Sequence, residues 1–355
     1  MKLKDICQYV PERVATTTLT IDNYISTENM LPDKGGVVVA SGVPAGNAVT
    51  FAAGDVLVSN IRPYFKKIWR ADKKGGCSAD VLCFRTNENV DSKYFYYLLS
   101  QQSFFDYMMS GSKGCKMPRG DKKQIMQWSF DLPSFEKQKR ITNILSSLDS
   151  KIELNRRIND NLEQQAQALF KSWFVDFEPF KDGKFVESEL GMIPKGCRVG
   201  KAEDFYNINI GKTPPRKEQV WFSSNSSDYI WVSISDLGSC GRFVFTSSEF
   251  LTHEAIKRHN IILVPKDTIL LSFKLTIGRV RIAGTELTTN EAIARFITSD
   301  ENREYTYFLL KGYNYEKLGS TSSIATAVNS KIIKAMVVLM PDKEILKAFS
   351  SLTKP

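Results

Sequence analysis

Histidine and paired cysteine are what this sequence has least of. There are two histidines, His253 and His259, and six cysteines with no C-x-x-C pair among them, which leaves a zinc site almost no ligands. Cys7, Cys77, Cys83, Cys115, Cys197 and Cys240 are therefore read as free, mostly buried thiols. No apolar run reaches the length of about 18 residues that a membrane-spanning helix needs. The opening MKLKDICQYVPERV carries charges where a secretory signal needs an apolar core, so the expected compartment is the cytoplasm. Phosphate-cradling glycine loops are missing too: neither G-x-x-x-x-G-K-[ST] nor G-x-G-x-x-G occurs. No G-x-S-x-G is present, and the Asn/Asp-Pro-Pro-Tyr/Phe element of amino-methyltransferases is absent. Its nearest string, TPPR at 213–216, lacks both the leading amide or acid and the aromatic. The acids of DFEPFK at 176–181 stand at a helix end and are read as solvated. With no constellation of acid, base and nucleophile, no catalytic residue and no metal ligand is assigned.

What is present begins with another local absence. Residues 134–178 contain neither glycine nor proline, although the chain of 355 residues has 21 and 13. This segment is predicted as one helix, of roughly 65 Å at about 1.5 Å per residue. Apolar residues recur in it at Ile141, Leu145, Leu148 and Ile152, then at Leu162, Ala166, Leu169 and Trp173. Spacings of three and four make a stripe expected to bury against another helix. In the middle the register reaches Asn155 and Asn159, which either fix a helix partner as polar seam residues or face solvent where the stripe drifts.

Charge divides along the same lines. The helix holds seven basic and seven acidic residues, while residues 1–133 carry a net +4 and residues 179–355 a net +5 of the chain's +9. Two basic regions joined by a neutral spacer fit two contacts with one polyanion, because neutralised phosphates release counterions.

The two flanks also repeat. GDVLVSNIRPYFKKIWRA at 54–71 and KDTILLSFKLTIGRVRIA at 266–283 both read as strand, basic turn and strand. KYFYYLL at 93–99 answers EYTYFLL at 304–310 as an aromatic helix, then Ser110-Gly111-Ser112 answers Leu318-Gly319-Ser320, and from there an offset of 208 sets Lys123, Ile125, Pro133 and Glu136 opposite Lys331, Ile333, Pro341 and Glu344. Each copy mixes short β runs with a terminal helix, giving an α+β class. The expected division is 1–133, a first domain; 134–178, the spacer helix; 179–340, linker and second domain; and 341–355, the start of a second, shortened helix.

Nucleic-acid contacts are sought where basic residues sit in turns. KGCKMPRGDKK at 113–123 offers Lys113, Lys116, Arg119, Lys122 and Lys123, and the second copy places Ser322, Ser323 and Asn329 at the matching site. Arg62, Tyr64, Lys66 and Lys67 form another cluster, answered by Lys274, Arg279 and Arg281. IGKTPPRK adds Lys212, Thr213, Arg216 and Lys217. Strand alternation lets only half of a strand's residues face one surface. The residues alone leave three readings open: a DNA reader, a self-contained DNA methyltransferase or nuclease, and a two-lobed scaffold for acidic proteins.

The segment DLPSFEKQKRITNILSSLDSKIELNRRINDNLEQQAQALFKSWFVDFEP at 131–179, followed by SELGMIPKGCRVGKAEDF at 188–205, resembles the specificity subunit of type I restriction-modification systems. The resemblance implies two target-recognition domains, each reading half of a bipartite site, separated by long conserved helices paired antiparallel. It implies a non-catalytic chain that binds double-stranded DNA and docks modification subunits, expected to number two, with the restriction subunit joining through the assembly. S-adenosylmethionine is then expected on the modification subunit, ATP and magnesium on the restriction subunit, and no cofactor on this chain. After Pro341 only DKEILKAFSSLTKP remains, so the second helix is short; the expectation is either a shortened form of the protein or another specificity chain or fragment that completes the pair.

Overall fold

A computed structural model describes residues 1–114, 116–318 and 328–354; Cys115, Ser322 and Ser323 lie outside the described residues. The chain divides into two compact units, Met1–Arg157 and Ile158–Pro355, and the boundary falls inside the long helix instead of at its ends.

In the first unit, strands Cys7–Tyr9, Val81–Thr86, Val56–Ser59 and Ile68–Arg70 form an antiparallel sheet in that spatial order. Its strands are apolar on both faces. Val56, Val58, Leu82 and Phe84 point into a core closed by Phe95, Leu98, Phe104 and Met108 of the helices Ser92–Leu99 and Gln102–Ser110. Leu57, Val81 and Cys83, one residue out of step, join a second core. Period-two alternation thus divides one sheet between two cores. A second sheet runs Arg13–Ala15, Asn47–Phe51, Gly75–Cys77 and Tyr24–Ile25, its last pair parallel.

The second unit repeats this plan. Asn207–Ile210, Ile293–Ile297, Ile269–Ser272 and Val280–Ala283 lie in the matching order, with Phe243–Val244 added at the edge. Phe222–Ser223, Phe250–Leu251, Tyr229–Val232 and Thr288–Thr289 form its second sheet, again ending in a parallel pair. The offset of 208 holds in detail. Asp121 caps one short helix by accepting from Lys123 N and Gln124 N at 2.9 and 3.1 Å, and Asn329 caps its counterpart by accepting from Lys331 N and Ile332 N at 3.0 and 3.1 Å. The long helix begins at Phe135 and the C-terminal helix at Lys343.

The long helix, Phe135–Phe174, stops four residues short of the predicted end at Glu178. The chain turns at Phe177, whose φ of 55° is left-handed, and Pro179 follows. Its N-terminal turns are fixed to the first unit by polar contacts: Gln138 accepts from Asp91 N at 3.0 Å and donates to Pro133 O, and Thr142 donates to Asp91 at 3.1 Å. Its C-terminal turns are fixed to the second unit by aromatic packing. Phe170 and Phe174 are buried there, with Phe349 of the helix Lys343–Thr353 at 6.1 and 5.0 Å between ring centroids.

The predicted stripe is therefore corrected. Leu169 and Trp173 pack against the second unit's core, but Ile141, Leu148, Ile152 and Leu162 are between 38% and 53% exposed, and Leu145 is half-buried. The residues that bury the C-terminal end, Phe170 and Phe174, lie one position beyond the expected Leu169 and Trp173. Asn155 and Asn159 are both exposed. The short second helix does pair with the first, at this end alone, because Phe349 and Leu346 enter the same core.

Candidate nucleic-acid interface

In the first unit the strands Val56–Ser59 and Ile68–Arg70 are joined by residues 60–67, and this connection is held by its neighbours on both sides. Asn60 is 6% exposed; its backbone N–H donates to Asp80 O at 2.8 Å and its side-chain amide to Gly120 O at 3.2 Å. Gly120 approaches so closely that a Cβ there would lie 2.8 Å from Asn60 Oδ1. Ile61 and Arg119 form a β-bridge, and Arg62 N donates to Pro118 O at 2.8 Å. From the other side Asp33 N and Lys34 N donate to Phe65 O and Lys66 O at 2.8 and 3.0 Å. The two basic segments that the sequence separates by some fifty positions, 60–67 and 113–123, are thus one continuous surface.

The cations on that surface differ in freedom. Lys116, Lys122 and Lys123 are exposed. Lys113 lies 3.6 Å from Asp121 and Arg119 lies 3.2 Å from Asp80, both at exposed side chains where such pairs hold weakly. Asp121 sits below the usual carboxylate range, first through the amide of Gln124 and then that of Lys123, with Lys113 adding to it. Lys67 is drawn inward: its ammonium donates to Thr27 O at 2.6 Å, and burial, then the neighbouring Arg62, lower its pKa. Arg62 keeps its Nε buried without a hydrogen-bond partner. Tyr64 is 47% exposed at the tip of the connection.

The second unit uses most of its predicted contacts internally. Lys212 donates to Asn260 O at 3.2 Å, and Thr213 donates to Glu291. Arg216 meets Glu249 through two nitrogens, each at 2.9 Å, and lies over the rings of Phe222 and Trp231 at 4.4 and 4.5 Å. The Lys212 loop leaves the sheet at Gly211, where a Cβ would stand 2.1 Å from Asn290 O. Arg279 donates to Ile234 O and Arg281 to Val280 O, each at 2.8 Å. Asn329 is occupied as the helix cap. Lys217 and Lys274 stay exposed.

Sequence reading missed three exposed apolar residues on these surfaces: Phe65, Met117 and Leu275, at 37%, 50% and 99% exposure. The signal was available, since each stands in a turn beside basic residues. Among the described residues no three His, Cys, Asp or Glu side chains gather as a metal site, and no helix is long and apolar enough to cross a membrane.

Comparison with known proteins accords with the two-unit frame. The specificity subunit of the type I restriction enzyme MjaIX from Methanocaldococcus jannaschii is 29% identical over 279 residues, which cover 76% of this chain and 63% of that protein. The HindI specificity subunit of Haemophilus influenzae is 25% identical over 364 residues, covering 83% of this chain and 78% of that one. The crystal structure of a type I restriction-modification S subunit from M. genitalium has the same fold, with a TM-score of 0.56 at 13% identity over 99% of this chain and 87% of the other. The family model for the type I restriction modification DNA specificity domain matches residues 1–164 and again 194–354, once on each repeat, and the chain belongs to that family.

Proposed function

We propose that this chain is the DNA specificity subunit of a type I restriction-modification assembly. Each unit reads one half of a bipartite duplex site, and the long helix is the spacer between the readings. The observation that carries the proposal is the repeat itself: one sheet order and one turn-bearing hairpin occur twice, with different side chains on the second copy. Two readers of different sequences need a shared frame and unlike contacts. In the first unit Lys113, Lys116, Arg119, Lys122 and Lys123 meet phosphates or base edges beside Arg62, Tyr64 and Lys66. The chemistry belongs to partner subunits, a methyltransferase carrying S-adenosylmethionine and a restriction subunit using ATP and magnesium; this chain addresses them.

The test is to map methylated adenines in a host that expresses the chain with its modification subunits. Methylation is expected at one bipartite motif, with one half altered when residues 113–123 are exchanged for those of another chain. An unchanged methylation pattern after deletion of this chain would exclude the reading. Methylation by the purified chain alone would favour a self-contained methyltransferase.

A further inference from the structure

The matching hairpins of the two units have one odd property in common. Each exposes apolar side chains at its tip, with left-handed residues in the turn or flanking it. In the first unit Pro63, Tyr64 and Phe65 form a single 3-10 turn between Arg62 and Lys66, whose φ angles are 49° and 50°. In the second unit Leu275 has φ 60° and sits at the centre of a three-residue turn closed by Thr276 N donating to Lys274 O at 2.6 Å. Left-handed backbone costs an L-residue about 1 kcal/mol or more, and glycine would avoid it.

Both turns are held in place from beneath. The first is pinned by the donors Asp33 N, Lys34 N and Arg62 N described above. In the second, Ser272 is fully buried: its hydroxyl donates to Thr276 O at 2.6 Å and accepts from Arg279 N at 3.0 Å. Hydrogen bonds thus fix both turns, and among the described residues the tips keep exposed apolar surface, 47% at Tyr64 and 37% at Phe65 in the first. Tyr64 and Phe65 lie with ring centroids 4.7 Å apart, and Leu275 is 99% exposed. Each tip is flanked by cations, Arg62 and Lys66 in one and Lys274 in the other, the surroundings of a surface that meets a polyanion. An apolar tip with a basic rim fits a base step of a duplex, where stacked bases are the apolar part and phosphates the charged part.

We infer that the two hairpin tips are wedges: Tyr64 with Phe65 in one half-site, and Leu275 in the other, enter a base step and unstack it. This rests on the DNA-reading function proposed above. It adds a source of specificity that needs no base-edge hydrogen bond, because pyrimidine–purine steps open more easily than others and each wedge favours them at its position.

The experiment uses the full chain assembled with its modification subunits and a duplex carrying the mapped bipartite site. 2-Aminopurine replaces one base at a time through both half-sites, the methylated adenines excepted because a methyltransferase flips its target base out of the stack whatever the tips do, and its fluorescence reports unstacking. A severalfold rise is expected at one step in each half-site. Leu275→Ala should abolish the rise in the half-site of the second unit alone, and the Tyr64→Ala, Phe65→Ala pair should abolish the other alone; Leu275→Phe should retain it. All are exposed positions, and circular dichroism verifies that the variants fold. Sequence-specific binding with no responsive step, or rises that persist in the alanine variants, would overturn the wedges and leave the DNA-reading function standing. Absence of sequence-dependent binding by the wild-type assembly would overturn both.

Discussion

The flanking regions 1–133 and 179–355 have almost the same net charge, and the two units have the same sheet order, yet they offer different surfaces. In the first, the frame around the hairpin is built from backbone hydrogen bonds and from Asn60, which leaves Lys113, Lys116, Arg119, Lys122 and Lys123 facing outward. In the second, long side chains build the frame. Lys212, Arg216, Arg279 and Arg281 all spend donors on the protein, and of the predicted cations only Lys217 and Lys274 are exposed without such a bond among the described residues. Net charge counts groups; what a polyanion meets is the groups left free. On this comparison the first unit is expected to supply more of the salt-dependent affinity proposed for the chain, and the second less.

The same contrast runs into the interior. Asp55 of the first unit takes Arg85 through two bonds, at 2.9 and 2.7 Å. Its counterpart Asp267 takes Arg303 at 2.8 Å, and there a second carboxylate, Glu304, joins with no exposure at all and binds both Arg303 and Arg242. Removing one member of a buried ionic network leaves uncompensated charge. Glu304→Ala is expected to destabilise the second unit by about 3–5 kcal/mol. Hydrogen exchange resolved by peptide should show the loss across 158–354 with 1–157 protected as before. Equal loss in both units would mean that they do not unfold separately.

Next in size is the affinity for DNA. Each phosphate contact adds about 0.9 to the slope of log affinity against log salt. Replacing Lys113, Lys116, Arg119, Lys122 and Lys123 by alanine is expected to reduce that slope by several units in the assembled complex. Arg216→Ala, by contrast, should leave the slope unchanged while loosening Phe222, Trp231 and Glu249. Titrations at three salt concentrations decide the matter, and a slope change for Arg216→Ala as large as one full contact would show that its fork leaves Glu249 to meet phosphate.

A smaller effect separates the caps. Asn329→Ala should cost about 1 kcal/mol through the lost bonds to Lys331 N and Ile332 N, with half-site recognition intact. A changed half-site with undiminished stability would instead make Asn329 a base contact.

These cases show what could be read in advance. Strand alternation, the 208-residue offset and the glycine-free helix are local or periodic signals, and they led to the two-domain frame. The family resemblance rested on the same helix. Which lysine or arginine stays free depends on partners far along the chain: Glu249 for Arg216, 33 positions away, and Ile234 for Arg279, 45 positions away. Turn residues of that kind look alike in sequence. The helix stripe misled by one position because Phe170 and Phe174 enter the core, and an average over the whole helix favours the longer pattern of Leu162, Leu169 and Trp173.

The last difference is where each unit holds the long helix through an acid. Tyr97 donates to Asp149 at 2.6 Å in the first unit; in the second, Tyr307 and Lys311 both donate to Glu163. Burial raises the Glu163 pKa, but the bonds from Lys311 and Tyr307 outweigh it, and the carboxyl lies below its usual value. A depressed folded-state pKa gives stability that is present above the unfolded value and lost as pH falls through the folded one. Glu163 keeps 26% of its side-chain surface exposed and Lys311 keeps 41%, so the pair is partly screened. Glu163→Gln is expected to cost the second unit about 1 kcal/mol at neutral pH, since the amide still accepts from Tyr307 but loses the charge. The cost should shrink as pH falls below the ordinary glutamate value and through the lower folded one, where wild type loses the same charge. Denaturation midpoints measured for both proteins across that range would therefore converge in acid; a constant gap would mean that Glu163 acts by shape, and a gap that widens in acid would reverse the sign assigned to it.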